Sequence, residues 1–124
     1  MSEPIGRWNI NANGFRGHID INGDGNGNLT GTVDIDPNVQ DQLQGVWNEA
    51  GQEITFNRVM NRNGQTIIQT YAGHLFLTNE PVFGDQGGPP PNPTFRLLAG
   101  EFDGIGSGAA NGRGFFGWVA RQRI

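Results

Sequence analysis

The chain contains no cysteine, which excludes disulfide bonds, thiolate metal sites and cysteine nucleophiles. It has no apolar run that approaches the length of a membrane-spanning helix. Residues 1–4 show neither the basic start nor the apolar core of a signal peptide, so we expect a soluble chain. Basic residues form no cluster and the formal net charge is -4, which argues against nucleic acid and anionic membranes as partners.

Helical periodicity is also missing, whereas glycine is abundant. Of the 124 residues, 21 are glycine, while globular proteins contain about 7%. The glycines follow no collagen-type repeat and lie within or between segments that alternate apolar and polar residues. This distribution predicts one turn-rich β domain that spans residues 1–124, because the length suits a single core.

One five-residue pattern recurs along the chain: an apolar residue, any residue, glycine, any residue and a second apolar residue. In a strand, such a segment places both apolar side chains and the glycine on the same face. A glycine in mid-strand permits the bend or close backbone approach that coils a sheet into a barrel. The pattern occurs at 15–19, 29–33, 43–47, 71–75, 98–102 and 115–119.

Alternating segments separated by turn residues predict about eight strands. Asn63-Gly64 is the strongest hairpin signal, and the segment 23–27 is rich in residues that tolerate positive φ. We therefore predict an all-β fold, an eight-stranded antiparallel up-and-down β-barrel with hairpin connections. A two-sheet sandwich is the alternative. The predicted strands cover 6–10, 15–22, 28–36, 43–48, 53–59, 66–78, 94–102 and 114–121.

The face that carries the glycines is predicted to point into the barrel. The same alternation turns Gln69, Arg96 and Arg121 inward, where charge must be paired or must line a wet cavity. The predicted apolar interior consists of Trp8, Ile10, Phe15, Ile19, Ile21, Leu29, Val33, Ile35, Leu43, Trp47, Ile54, Phe56, Tyr71, Leu75, Leu77, Leu98, Phe102, Phe115 and Val119.

Several large apolar residues then face outward on the last three strands. A small barrel does not expose such groups on neighbouring strands without a partner. We therefore predict a homo-oligomer that buries these outer faces. The alternative is a register slip at Gly117 that turns Trp118 inward. The outward residues are Ile68, Phe76, Leu97, Phe116 and Trp118.

Three segments carry a resemblance to a known family. These are Gly-Arg-Trp-Asn at 6–9, Gly-Asn-Leu-Thr-Gly-Thr-Val at 27–33 and the arginine-containing end at 121–124. Together they resemble the avidin and streptavidin group of barrels, within the wider lipocalin-like, or calycin-type, superfamily. The likeness spans nearly the whole chain, but only the first three strands match at the level of motifs. It implies that Trp8, covered by Arg121 or Arg123, closes one end of the barrel.

The residues that hold biotin in that family are not matched here. The family has an asparagine, a loop serine and a tyrosine where this chain has Ile10, Gly14 and Val33. A site that recognises its ligand by hydrogen bonds fails when those groups are missing. We therefore do not expect a good biotin binder.

If the barrel is up-and-down, the loops at 11–14, 36–42, 61–64 and 103–113 lie at the end opposite Trp8. Their polar side chains suit a polar or sugar-like ligand, and interior aromatic residues would supply a stacking wall. The predicted function is a non-enzymatic barrel that binds a small molecule or carbohydrate. The alternative is a structural homo-oligomer whose aromatic residues simply fill the core. The candidate ligand-binding residues are Asn11, Asn13, Trp47, Gln69, Tyr71, Arg96 and Phe102.

Other motifs give weaker signals. The segment 20–26 resembles the first half of an EF-hand calcium loop, but Gly31 occupies the position of the required acid, which favours a hairpin turn. His18 and His74 lack a third metal ligand, and Ser107 lacks a base. With no nucleophile–base pair or facing carboxylates located, we predict no enzyme activity, no metal and no cofactor. The prolines at 89–91 indicate a stiff loop.

Overall fold

A computed structural model of the protein describes residues 3–36, 39–78, 95–103 and 115–123. These residues form eight strands in a closed barrel in which each strand pairs antiparallel with its sequence neighbours and the last strand pairs with the first. The predicted up-and-down barrel is confirmed, and closure excludes the sandwich. The strands are β1 (Gly6–Ala12), β2 (Phe15–Gly23), β3 (Asn28–Asp34), β4 (Asp41–Asn48), β5 (Glu53–Arg62), β6 (Gln65–Thr78), β7 (Phe95–Asp103) and β8 (Phe115–Arg123).

Tight turns join several of the strands and define the two ends of the barrel. Asn63 and Gly64 have φ values of 53° and 75°, as a two-residue hairpin turn requires. The turns at 13–14 and 63–64 lie at one end, called here the Arg62 end, and those at 24–27 and 49–52 lie at the other, the Trp8 end.

No helix among the described residues is long and apolar enough to cross a membrane.

The recurrent glycines have one structural role on most strands and a different one on β8. Gly73 and Gly100 are register partners on β6 and β7. A Cβ on Gly73 would lie 2.6 Å from the carbonyl oxygen of Ala99 and 2.8 Å from Cζ2 of Trp118, so only glycine allows this approach. A Cβ on Gly117 would meet nothing within 4 Å. The pattern therefore marks a close contact on β6 and β7 but not on β8.

Most of the predicted interior is buried, with exceptions at strand ends. Phe15 and Leu77 are exposed, and Ile35 is only partly buried against the core. Phe15 begins β2 and Leu77 is the penultimate residue of β6. Both side chains therefore lie at the ends of the barrel, beyond the packed core. The buried apolar side chains are Trp8, Ile10, Ala12, Ile19, Ile21, Leu29, Val33, Leu43, Trp47, Ile54, Phe56, Met60, Tyr71, Leu75, Phe95, Leu98, Phe102, Trp118 and Ala120.

The predicted orientation of β8 is wrong. Phe115 is 72% exposed and Val119 is also exposed, whereas Trp118 is only 4% exposed. Phe116 packs partly buried against the core. Trp118 therefore points inward as the alternative expected, but without a register slip at Gly117, because the pairing of β8 with β7 is continuous from Phe115 to Arg123. Neither Phe116 nor Trp118 belongs to an outer apolar face.

Two physical reasons favour the observed orientation of β8. The indole Nε1 of Trp118 donates to the carbonyl oxygens of Ala72 and Glu101, each 3.1 Å away, so its large ring is buried without losing a hydrogen bond. The opposite orientation would also have turned Arg121 and Arg123 into the barrel, where an unpaired charge is costly. Arg121, which was predicted to point inward, is exposed.

The Trp8 end is closed by the buried ring of Trp8, whose Nε1 donates to the carbonyl oxygen of Pro4 at 3.0 Å. The guanidinium carbon of Arg96 lies 5.1 Å from the centre of this ring, and Arg96 Nε donates to Gln122 Oε1 at 2.8 Å. Burial lowers the pKa of Arg96 from its ordinary value. The cation beside Trp8 is therefore Arg96.

Arg121 and Arg123, which the resemblance placed over Trp8, lie instead over the ring of Phe95. Their guanidinium carbons are 5.2 and 5.7 Å from its centre. The reason is the orientation of β8, which carries both arginines on the outside of the barrel.

Candidate functional site at the Arg62 end

A buried ion pair lies inside the barrel near the Arg62 end. Arg58 Nε donates to Asp41 Oδ2 at 2.9 Å, and the two side chains are 9% and 2% exposed. Arg58 Nη1 also donates to Oε1 of Gln69, its register partner on β6, at 3.3 Å. Such a pair is costly to desolvate and is maintained only with good geometry and additional hydrogen bonds.

The same carboxylate binds a second arginine that leads toward solvent. Arg62 Nη1 donates to Asp41 Oδ1 at 2.9 Å, and Nη2 donates to Asp41 Oδ2 at 3.1 Å. Arg62 Nη2 also donates to Asp36 Oδ2 at 3.3 Å. The hydrogen bonds to Asp41 raise the pKa of Arg62. Because Arg62 and Asp36 are 24% and 35% exposed, the contacts connect the interior with the surface.

Tyr71 connects this network to the core. Its hydroxyl donates to Gln69 Oε1 at 2.9 Å. Burial raises the pKa of Tyr71 above its ordinary value of 10.0, although the nearby charge of Arg58 acts in the opposite direction. The phenol is therefore a neutral hydrogen-bond donor at physiological pH. We call Asp36, Asp41, Arg58, Arg62, Gln69 and the Tyr71 hydroxyl the polar network.

An aromatic row lies directly beneath the polar network, on four neighbouring strands. It consists of Phe56, Tyr71, Phe102 and Phe116, which are successive register partners from β5 to β8. The ring of Tyr71 stacks on those of Phe56 and Phe102 with both pairs of centres 4.7 Å apart. Trp118 meets Phe56 and Tyr71 edge-on at 5.6 and 5.7 Å. These rings pack closely against one another and form the apolar surface on which the polar network lies.

The structure brings together three of the seven predicted ligand-binding residues: Gln69, Tyr71 and Phe102. Trp47 is buried nearer the Trp8 end, where its Nε1 donates to Glu49 Oε1 at 2.8 Å. Arg96 is also at that end, beside Trp8. Both lie away from Gln69 toward the Trp8 end: by register, Trp47 is level with Gly73 of β6 and Arg96 with Leu77.

The other two predicted residues are at the Arg62 end but outside the polar network. Asn11 Oδ1 accepts a hydrogen bond from the backbone nitrogen of Gly14 at 2.8 Å. Asn13 is exposed with a φ of 51°, and its backbone nitrogen donates to the carbonyl oxygen of Gly117 at 3.0 Å. Both asparagines shape the β1–β2 turn.

Sequence reasoning did not find Asp41 and Arg58, and it placed Asp36 and Arg62 at the mouth of the barrel only as loop residues. The signal for Arg58 was present, because it follows Ile54 and Phe56 on the same face of β5. Asp41 likewise shares the face of Leu43 on β4. Extending the alternation by one step on each strand would have placed both charges inside. The same alternation continues through Met60 to Arg62, but the contact of Arg62 with Asp41 depends on the register between β4 and β5.

The calcium-like segment forms a hairpin turn closed by its own hydrogen bonds. Asp24 accepts from the side chain of Asn28 and from the backbone of Asn26, which lowers the pKa of its carboxyl group. Asp20 is paired with Arg7 on the outer surface. In the part of the chain that the structure describes, no group of three or more His, Cys, Asp or Glu side chains is placed to hold a metal ion.

The two histidines lie on the outer surface and contact acids. His18 Nε2 is 2.9 Å from Asp34 Oδ2, and His74 Nε2 is 3.7 Å from Glu53 Oε2. Ser107 and the prolines at 89–91 lie outside the described residues.

Comparison with protein-family models, curated proteins and solved structures found no match to this chain. The closed, eight-stranded antiparallel barrel is compatible with a calycin-like fold.

Proposed function

We propose that the protein is a non-enzymatic binding barrel that takes a small polar or carbohydrate-type ligand at the Arg62 end. The observation that carries this proposal is the polar network, which runs from the buried Asp41–Arg58 pair to the partly exposed Arg62. An apolar replacement of a buried ion pair is often equally stable. A buried ion pair at the end of a barrel, next to the aromatic row, is therefore better explained by ligand recognition than by a contribution to stability.

The chemistry of the polar network suits a ligand with several hydroxyl groups. Guanidinium groups donate, carboxylates accept, and the amide of Gln69 does both. Because the aromatic row occupies the middle of the barrel, the proposed site is shallow and lies above Tyr71. A sugar would place its apolar face toward the rings and exchange hydrogen bonds with Arg62 and Asp36.

The proposed barrel is avidin-like in architecture and is not expected to bind biotin well. Ile10 and Val33, which stand where the avidin group has polar residues, are both buried in the hydrophobic core. They offer biotin no hydrogen bond.

A thermal-shift screen tests this function. The panel would contain common hexoses, N-acetylglucosamine, small hydroxy acids and biotin, with hits measured by calorimetry. We expect a sugar or hydroxy acid to raise the melting temperature of the wild-type protein. Arg62→Gln should abolish the rise, and Arg16→Gln, on the outside of β2, should leave it unchanged. No rise with any sugar or hydroxy acid, or a rise that persists in Arg62→Gln, would contradict the proposal.

A second candidate is a structural or interaction protein that acts as a homo-oligomer with a filled barrel. The stacked aromatic row favours it, because these rings pack on one another in the middle of the interior. The exposed apolar groups Ile68 and Phe76 also favour it. A stable oligomer that responds to no compound in the panel would support this candidate over the first.

A further inference from the structure

The outer face of β7 and β8 carries opposite charges on either side of an apolar centre. Three consecutive pairs of register partners define it, and we call these six residues the paired face. Ala99 and Val119 form the central pair. On the side of the Trp8 end lies the pair of Leu97 and Arg121, and on the other side lies the pair of Glu101 and Gly117.

The paired face is accessible and extends onto β6. Val119, Arg121 and Glu101 are exposed. Phe76, the register partner of Leu97, is 52% exposed and widens the apolar area. Exposed apolar residues on β6 and β8, with the half-buried Leu97 between them on β7, indicate a surface that meets a partner.

We propose that the paired face binds a second copy of this chain, with the strands of the two copies antiparallel across a two-fold axis. The axis would lie along the line that joins Ala99 to Val119, perpendicular to the strands. Each flanking pair of one copy then faces the opposite flanking pair of the other copy. Arg121 of each copy then lies above Gly117 of the other, beside its Glu101. Two equivalent ion pairs form, as a closed isologous interface requires.

Gly117 supplies the space for this contact. A Cβ at Gly117 would meet nothing within 4 Å, so the surface there is open above the backbone. An arginine side chain is long enough to cross an adjacent strand position and reach Glu101. In the free chain Arg121 rests on Phe95, which Arg123 also covers, so Arg121 can leave without exposing that ring.

The charges select this arrangement over the other two-fold packing of the same face. An axis parallel to the strands would bring the Leu97–Arg121 pair of one copy onto the same pair of the other. The two arginines would then be close together, as would the two glutamates, and like charges in an interface are unfavourable. The dimer is therefore expected to be antiparallel and sensitive to salt.

This inference rests on the second candidate function and adds the face, the symmetry and the pairing residues. Phe116 and Trp118, which the sequence prediction placed on the outer face, point inward, so Val119 and Ala99 form the apolar centre instead. It does not depend on a ligand at the Arg62 end.

Charge reversal with sedimentation analysis tests the proposal. The wild-type chain should form a dimer at micromolar concentration. Glu101→Arg and Arg121→Glu should each weaken it about tenfold or more, because two ion pairs become two repulsions. A mixture of the two variants should form a heterodimer, since both contacts between them again join opposite charges. The double variant should also dimerise.

Arg16→Glu is the matched control, because it makes the same charge change on the outside of β2. It should leave the dimer unchanged, and circular dichroism should show that every variant is folded. A wild-type monomer would overturn both this inference and the oligomeric function. A dimer that both reversals leave unchanged would overturn only the inference and would indicate another face.

Discussion

Arg58 and Asp41 form a charge pair inside the barrel, with Nε and Oδ2 2.9 Å apart, although 17 residues separate them in the sequence. The carboxylate also holds Arg62, and the guanidinium also holds Gln69. No buried side-chain nitrogen or oxygen among the described residues lacks a hydrogen-bond partner. Each buried polar atom is therefore hydrogen-bonded. Removing Asp41 would leave Arg58 buried without a counter-charge, so the desolvation penalty of that charge would no longer be offset.

Removing the carboxylate should destabilise the barrel strongly. Asp41→Asn leaves Arg58 buried without a counter-charge, and we expect the free energy of unfolding to fall by about 3–5 kcal/mol. Urea denaturation measures this loss. The control is Asp20→Asn, which breaks the exposed pair with Arg7 and should have a much smaller effect. Equal losses of unfolding free energy in the two variants would show that the buried pair stabilises the barrel no more than the exposed pair does.

Replacing both partners should cost far less than replacing one. In Asp41→Leu with Arg58→Met, no buried charge is left unpaired, because Arg62 is partly exposed and keeps its contact with Asp36. Buried ion pairs replaced in this way are often neutral or stabilising. The double variant is therefore expected to unfold at a urea concentration near that of the wild type. The double variant also distinguishes a role of the polar network in stability from a role in ligand recognition. If it is stable but no longer binds any sugar or hydroxy acid, the pair serves recognition.

The ionisation of Tyr71 should occur at unusually high pH in the folded protein. Burial raises its folded-state pKa above the unfolded value near 10.0, so the stability this group contributes is present below pH 10 and is lost as pH rises through the folded pKa. Tyr71 is the sole tyrosine of the chain, so tyrosinate absorbance reports on it alone. We expect the absorbance change to be delayed in native protein relative to protein in urea. Coincident curves would contradict the burial of its hydroxyl.

Much of the fold could be predicted from the sequence because alternation and turn chemistry are local. Asn63-Gly64 specified its hairpin, and the glycine at 73 marked a close approach between strands. The orientation of β8 could not be predicted in this way, since Phe115 and Val119 on one face and Phe116 and Trp118 on the other are all apolar. What decides between the two faces is the pair of hydrogen bonds from the Trp118 indole and the cost of placing Arg121 and Arg123 inside the barrel.

The candidate site was predicted only in part, for a related reason. Gln69 and Tyr71 lie on one long strand, so alternation placed them together. Asp41, Arg58 and Arg62 come from two strands, and their contacts depend on a register that the sequence does not display. The contact of Arg96 with Trp8 likewise joins β7 to β1, past the intervening strand β8.

The two environments of the recurrent glycines should give opposite results on substitution. Gly73→Ala places a Cβ against the carbonyl of Ala99 and the ring of Trp118, and we expect a loss of about 1–3 kcal/mol from overpacking. Gly117→Ala meets open space and should be neutral or slightly stabilising to folding. Thermal unfolding at low protein concentration compares the two. Similar destabilisation by both would mean that β8 is coiled as tightly as β6.

The orientation of β8 can be tested with two neighbouring residues. Trp118→Ala removes a buried ring that packs on Phe56 and Tyr71, and we expect a loss of about 3–5 kcal/mol in the free energy of unfolding. Val119→Ala removes exposed methyl groups and should change that free energy by less than about 0.5 kcal/mol. Urea denaturation should be done below the concentration at which the chain associates. Under associating conditions Val119→Ala should have a larger effect than in the monomer, because Val119 lies on the proposed two-fold axis and its truncation should weaken the dimer. A large loss of folding stability from Val119→Ala would restore the orientation that the sequence alone suggested.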